Sequence, residues 1–153
     1  MIAQMNQQTE QLFTEYKKTR SANISIEEFE YILSLFPSLM ICMSDGKLDP
    51  EEWDAVLQLA DGMAEEFYND QSTTGDKTAL AMNFRTEFRY LLENLAKWEK
   101  KFLNVLKDHI KSDRTSKEFV LESMYLFANA ADGISEVEQE SIDELSKRLQ
   151  LEY

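Results

Sequence analysis

Two acidic turns contain the side chains whose type and spacing could bind a metal ion. The first turn, "SDGKLDPEE" at 44–52, contains Asp45, Asp49 and Glu52, and the second, "DGISEVE" at 132–138, contains Asp132 and Glu138. Carboxylates and the free carbonyl groups of a helix end are the hard oxygen ligands that Ca²⁺ and Mg²⁺ prefer. These five residues are therefore the candidate ligands of a weak divalent-cation site, for Ca²⁺, Mg²⁺ or Zn²⁺.

A structural explanation exists for the same acidic residues. Glu52 and Glu138 each stand three residues after a helix-capping residue, where a glutamate completes a capping box. Asp45 and Asp132 are predicted to follow apolar helices directly, and a carboxylate at a helix C-terminus is unfavourable by about 0.3–1 kcal/mol. An Asx turn, in which the carboxylate accepts a backbone hydrogen bond, would offset this cost without a metal. The Asx turn is the favoured interpretation, and the cation site is the alternative.

Few residues could serve as a nucleophile or a general base. The chain has one histidine, His109, and one cysteine, Cys42, and no glycine-rich phosphate loop. His109 lies near a predicted helix C-terminus, where we expect a structural role at the surface. Cys42 lies in an apolar run, where we expect a buried, unreactive thiol. We therefore predict that the protein is not an enzyme; the alternative is a metal-dependent hydrolase that uses clustered carboxylates.

The charge of the chain limits its partners. A formal net charge of −13 disfavours phosphate backbones and anionic lipids, so we expect neither nucleic acid nor membrane insertion. A basic protein partner or a cation is more compatible with this charge. The single cysteine indicates a reducing compartment, and the N-terminal residues do not resemble a signal peptide, so we expect a cytoplasmic protein.

The periodicity of apolar residues predicts an all-α fold of about seven helices in one domain spanning 1–153. Apolar residues recur at helical spacing along 53–67 and along 84–110, and no alternating pattern indicates a strand. Pro37 is expected to kink or split the second helix, and the fourth and fifth helices could form one bent helix. Gly62 is expected to lie within a helix and to allow close packing. The predicted helices span about 3–20, 25–44, 50–69, 77–96, 97–112, 115–131 and 136–150.

Four predicted helix starts carry the capping-box pattern, in which a Ser, Thr or Asp side chain accepts from the amide three residues later and a glutamate reaches back. Apolar residues on both sides of the cap reinforce two of them, Ile24 with Phe29 and Leu48 with Trp53. The four pairs are Ser25 with Glu28, Asp49 with Glu52, Thr115 with Glu118, and Ser135 with Glu138.

The two acidic turns belong to an internal repeat. The segment "LMICMSDGKLDPEEWDAVLQLADGM" aligns with "LFANAADGISEVEQESIDELSKRL", with the second turn one residue shorter. The repeat predicts two helix–turn–helix units of the same design and a pseudo-symmetric bundle. A helix ending in "ADG", followed by a short turn and an acid-rich capped helix, resembles the TerB-like family over about residues 25–150. The first copy departs from that pattern by reading "MSDG".

The resemblance implies a fold and a range of functions. The family is named after a tellurite-resistance protein, and related domains occur at the N-terminus of a membrane-anchored DnaJ-type co-chaperone. For this chain it implies a non-enzymatic, stress-response scaffold or interaction module whose acidic residues bind divalent cations. The second turn has Ser135 in place of Asp49, so that half would contribute fewer ligands. An acidic regulatory module that binds a basic protein remains an alternative.

Overall fold

The computed structural model describes residues 7–21, 24–44, 50–71, 77–129 and 133–151, apart from some side chains between 51 and 78. These residues form seven α-helices and no β-strand, which confirms the predicted all-α fold. No helix in these ranges combines the length and hydrophobicity that a bilayer crossing requires. The helices are α1 (Gln7–Arg20), α2 (Ile26–Cys42), α3 (Pro50–Gln71), α4 (Lys77–Glu93), α5 (Leu95–Ile110), α6 (Arg114–Ala128) and α7 (Glu136–Arg148).

The predicted capping boxes are confirmed at α2 and α7, where Ser25 and Ser135 each exchange hydrogen bonds with the glutamate three residues later. The box predicted at Thr115 is wrong. Asp113 caps α6 instead, because its Oδ1 accepts from the amides of Thr115 at 3.1 Å and Ser116 at 3.3 Å. The carboxylate thus satisfies amide groups that have no partner within the helix. The box predicted at Asp49 lies outside the described residues.

The structure tests three predictions about the helices, at Pro37, at the junction of α4 and α5, and at Gly62. Pro37 lies inside α2, which continues through it, so the helix is not split. The alternative of one helix spanning α4 and α5 is wrong, because the helices separate at Asn94, whose side chain donates to the carbonyl of Tyr90 at 2.8 Å. Gly62 lies within α3 as expected, but a Cβ there would meet no atom within 4 Å, so close packing does not explain this glycine.

The core is organised around α2, the most apolar helix, whose largest interface is with α6. The second helix of each predicted unit also contacts the first helix of the other unit: α7 packs against α2, and α3 packs against α6. α4 packs against α3 and α2, while α1 packs mainly against α5. The helices of the two repeat units are therefore interleaved. The predicted units of one design differ in how their helices pack, because α7 packs against α6 whereas α3 packs mainly against α4 and makes little contact with α2 in the described residues.

A cluster of aromatic rings joins α1, α2 and α5. The Phe102 ring lies 4.7 Å from that of Phe36, and 5.7 Å from each of those of Tyr16, Phe29 and Trp98, measured between centroids. Rings at such distances, mostly tilted or edge-on here, contribute about 0.5–1.5 kcal/mol per pair beyond the area they bury. All five residues are essentially inaccessible to solvent. The cluster therefore fixes α1 and α5 on the central helix.

α7 ends in a Schellman motif that has glutamine where glycine is usual. Gln150 has a left-handed φ of 55°. The Gln150 amide donates to the Lys147 carbonyl at 3.2 Å, and the Leu151 amide donates to the Ser146 carbonyl at 2.9 Å. Leu151 is buried and supplies the apolar contact typical of this motif. A side chain with a Cβ is disfavoured in the left-handed region by about 1 kcal/mol or more.

We predict that Gln150→Gly raises the free energy of unfolding by about 0.5–1 kcal/mol, because glycine adopts this φ without a steric cost. Urea denaturation of both proteins measures the change. Glu140→Gly, in the exposed middle of α7, serves as the control and should lower stability by about 1 kcal/mol. A Gln150→Gly variant less stable than the wild type would contradict the prediction.

Candidate functional site

The predicted metal ligands fall mostly outside the described residues. Asp45, Asp49 and Asp132 lie there, and Glu52 is in the first turn of α3 with its side chain not described. Among the residues that the structure describes, no three His, Cys, Asp or Glu side chains are grouped so that they could hold a metal ion. The cation site therefore stays a prediction.

Glu138, the fifth predicted ligand, has its capping role in the structure. Its Oε1 accepts from the backbone amide of Ser135 at 2.8 Å, and its own amide donates to the Ser135 Oγ at 3.1 Å. Gly133 has a φ of 83°, so the left-handed conformation expected after Asp132 is present. A side chain at position 133 would be strained in this conformation. The turn thus uses Glu138 and Gly133 for its own geometry.

The helix ends differ from the prediction near both aspartates. α2 ends at Cys42 and α6 ends at Ala128, so neither Asp45 nor Asp132 follows its helix directly. The interaction of a carboxylate with the helix dipole falls off within the last turn. Asp45 and Asp132 themselves lie outside the described residues, so the dipole penalty expected for each of them stays a prediction.

Among the described residues, Glu87 is a buried acidic residue whose contacts the sequence did not predict. The Glu87 side chain in α4 is 5% exposed and accepts hydrogen bonds from two residues of α1. Tyr16 donates its hydroxyl to Oε1 at 2.5 Å, while Arg20 donates Nε to Oε1 and Nη2 to Oε2, both at 3.1 Å. Such two-pronged arginine–carboxylate contacts combine two charge-assisted hydrogen bonds, each about twice as strong as a neutral one. Both carboxylate oxygens of Glu87 are therefore engaged.

The pKa shifts of Tyr16 and Arg20 fit a structural role for their contacts with Glu87. Burial, followed by the hydrogen bond and charge of Glu87, raises the pKa of Tyr16 far above its usual range, so the phenol keeps its proton. Burial opposes the charge of Arg20, but the hydrogen bond and charge of Glu87 leave its pKa raised above the ordinary value. The Arg20 guanidinium also lies 4.1 Å from the Tyr90 ring centroid, and the Tyr90 hydroxyl accepts from Trp98 Nε1 at 2.8 Å. The network thus links α1, α4 and α5.

His109 was predicted to lie at the surface, but it is partly buried. Its side chain, on α5, is only 20% exposed and contacts α1 and α2. Its Nδ1 lies 3.2 Å from the hydroxyl of buried Thr9 on α1, and its Nε2 lies 3.4 Å from Glu30 Oε2 on α2. A neutral imidazole with its proton on Nε2 satisfies both contacts, donating to Glu30 and accepting from Thr9. Burial lowers the pKa of His109, which the charge of Asp113 only partly offsets.

Cys42 is buried at the end of α2, which confirms its predicted burial, while its low reactivity stays a prediction.

The Glu87 network had one signal in the sequence. Glu87 falls among Phe84, Phe88 and Leu91 on the apolar face of α4, where a charged residue needs a partner. The sequence could not identify Tyr16 and Arg20 as those partners, because they are remote along the chain.

No family model, curated protein or solved structure matches the chain. The TerB-like resemblance therefore depends on the repeated Asp-Gly turns alone.

The lowered pKa of His109 predicts how pH affects stability. The unfolded chain binds the proton near the ordinary pKa of about 6.5, while the folded protein binds it only at lower pH. The contribution of His109 to the free energy of unfolding should therefore be present above pH 6.5 and be lost as pH falls below it. Glu30 has the opposite effect, since burial and then Glu27 raise its pKa. A variant at position 109 is therefore needed to separate the pH effect of His109 from that of Glu30.

His109→Gln is that variant, because glutamine can donate to Glu30 but does not titrate. Urea denaturation at pH 7.5, 6.5 and 5.5 should give a wild type whose stability, relative to His109→Gln, declines as pH falls. A relative stability that instead rises on acidification would show that His109 is charged and pairs with Glu30, which would contradict a neutral imidazole.

Proposed function

We propose that the chain is a non-enzymatic, TerB-like cytoplasmic module that acts by binding, with a weak divalent-cation site at its two Asp-Gly turns. The module would serve as a scaffold in a stress response of the tellurite-resistance type. The observation that carries the proposal is the interleaving of the two repeat units, in which α2 packs on α6 while α7 reaches α2 and α3 reaches α6. The contacts between the units are reciprocal, as a pseudo-twofold axis would require, but within the units α7 packs against α6 whereas α3 packs mainly against α4.

The contacts of the reactive side chains support binding over catalysis. Glu87 has both carboxylate oxygens occupied by Tyr16 and Arg20, and His109 contacts Thr9 and Glu30 through its two ring nitrogens. A general base needs a free lone pair directed at its substrate. Each of these groups is instead used to join one helix to another.

The net charge of −13 favours a basic protein as the partner of such a module. Complementary charge mainly accelerates association and selects among partners, so binding to such a protein would weaken with added salt. The acidic regulatory module is therefore a version of the same proposal with a narrower choice of partner.

The cation site is tested with wild type and with Asp45→Asn/Asp132→Asn. Asparagine keeps a side-chain oxygen for the turn but removes the charge. Ca²⁺, Mg²⁺ or Zn²⁺ at about one hundred times its dissociation constant should stabilise the wild type by about 2.7 kcal/mol, which raises the melting temperature by several degrees. The double variant should lose this gain in a thermal unfolding titration.

Glu122→Gln/Asp143→Asn is the matched control, because it removes the same charge from two exposed helix positions away from the turns. It should keep the response to the cation. A wild type indifferent to all three cations, or a control that loses the response equally, would reject the site and leave the two turns with a structural role only.

A further inference from the structure

A small pocket opens where the end of α2, the start of α5 and the middle of α7 meet. Its volume is about 280 Å³, just below the roughly 300–1,000 Å³ of pockets for drug-sized ligands. The α7 residues that line it lie on one face of that helix, at i, i+3, i+4 and i+7 from Ser141. The pocket is therefore suited to a small molecule held between three rigid helices.

The floor of the pocket is apolar and adaptable. Met40 and Met43 contribute from the end of α2, and the buried Leu145 contributes from α7. Methionine side chains are flexible and polarisable, and they fit apolar groups of varied shape. A short alkyl chain would find apolar contacts here.

The rim of the pocket has two acidic residues, Glu99 and Glu144, and one basic residue, Arg148. Arg148 lies 3.4 Å from Glu99, measured from Nη1 to Oε2, so these two charges offset one another. Glu144 is exposed and has no ion pair or hydrogen bond within the described part of the chain. The last turn of α2, which borders the pocket, has no basic residue to balance the partial negative charge of its carbonyl groups. The pocket therefore carries an excess of negative charge.

We propose that this pocket binds a small amphipathic organic cation, with an ammonium group against Glu144 and the end of α2 and an alkyl group on Met40, Met43 and Leu145. An anionic ligand is disfavoured, because it would meet Glu144 and would have to displace Glu99 from Arg148. The site uses none of the five predicted metal ligands, so it goes beyond the proposed divalent-cation site and can fail or hold independently of it.

The test compares three six-carbon probes on the full chain: hexylammonium, neutral hexan-1-ol and hexanoate. Binding is followed by NMR of ¹³C-methyl-labelled methionine, with the Met40 and Met43 signals assigned from Met→Leu variants. Hexylammonium should shift the signals of Met40 and Met43 and bind about 1.5- to 5-fold more tightly than hexan-1-ol, the range expected for one exposed ion pair. Hexanoate should bind most weakly.

Glu144→Gln should abolish the preference for hexylammonium over hexan-1-ol, while Glu140→Gln, which removes an equal charge from α7 outside the pocket, should retain it. Raising the salt concentration to about 0.5 M should reduce the preference in the wild type. The proposal is overturned if hexanoate binds as tightly as hexylammonium, if Met40 and Met43 do not respond to hexylammonium, or if both glutamine variants lose the preference equally.

Discussion

The carboxylate of Glu87 is buried within the apolar face of α4, and the placement of α1 depends on how its charge is satisfied. A buried carboxylate without partners would cost several kcal/mol, so it requires donors from a neighbouring helix. Tyr16 and Arg20, one turn apart on α1, supply them. α1 contributes few buried residues of its own, namely Thr9, Leu12 and Tyr16. The ring of Tyr16 holds α1 against the aromatic cluster, and the polar contacts to Glu87 add a directional constraint on its register.

The contacts of Glu87 also connect its charge to the aromatic cluster of the core. Tyr16 is both a donor to Glu87 and a member of the aromatic cluster, with its ring 5.2 Å from that of Trp98. His109 makes a second polar junction, between Thr9 on α1 and Glu30 on α2. The side chains that could perform chemistry therefore hold helices together. Other acidic residues of the described ranges lie at helix starts and on exposed helix faces, where their charge favours cations and basic partners.

The sequence was sufficient to predict the helices, because their positions depend on interactions between residues close together in the chain. Apolar periodicity and capping pairs located all seven helices to within a few residues, because both signals act over one or two turns. It misplaced the cap of α6, where Asp113 competes with Thr115, and the packing role of Gly62. The Glu87 network and the burial of His109 could not be predicted, because each depends on side chains distant along the chain. The Asp-Gly turns were recognised as a repeat, but their ligands cannot be derived from a pattern that capping and turn geometry also explain.

A double-mutant cycle between Arg20 and Glu87 tests most directly whether these buried charged groups are structural. Arg20→Met leaves the carboxylate buried with Tyr16 as its remaining partner, so it should lower the free energy of unfolding by about 3 kcal/mol. Glu87→Leu alone should also destabilise, because it leaves the Tyr16 hydroxyl without its acceptor. The double variant should be more stable than Arg20→Met, because the unpaired buried carboxylate is gone, and should be about as stable as Glu87→Leu, because both leave the Tyr16 hydroxyl without its acceptor. A Glu87→Leu variant more stable than the wild type would contradict a structural role for Glu87, because the carboxylate would then weaken the fold instead of holding α1 in place.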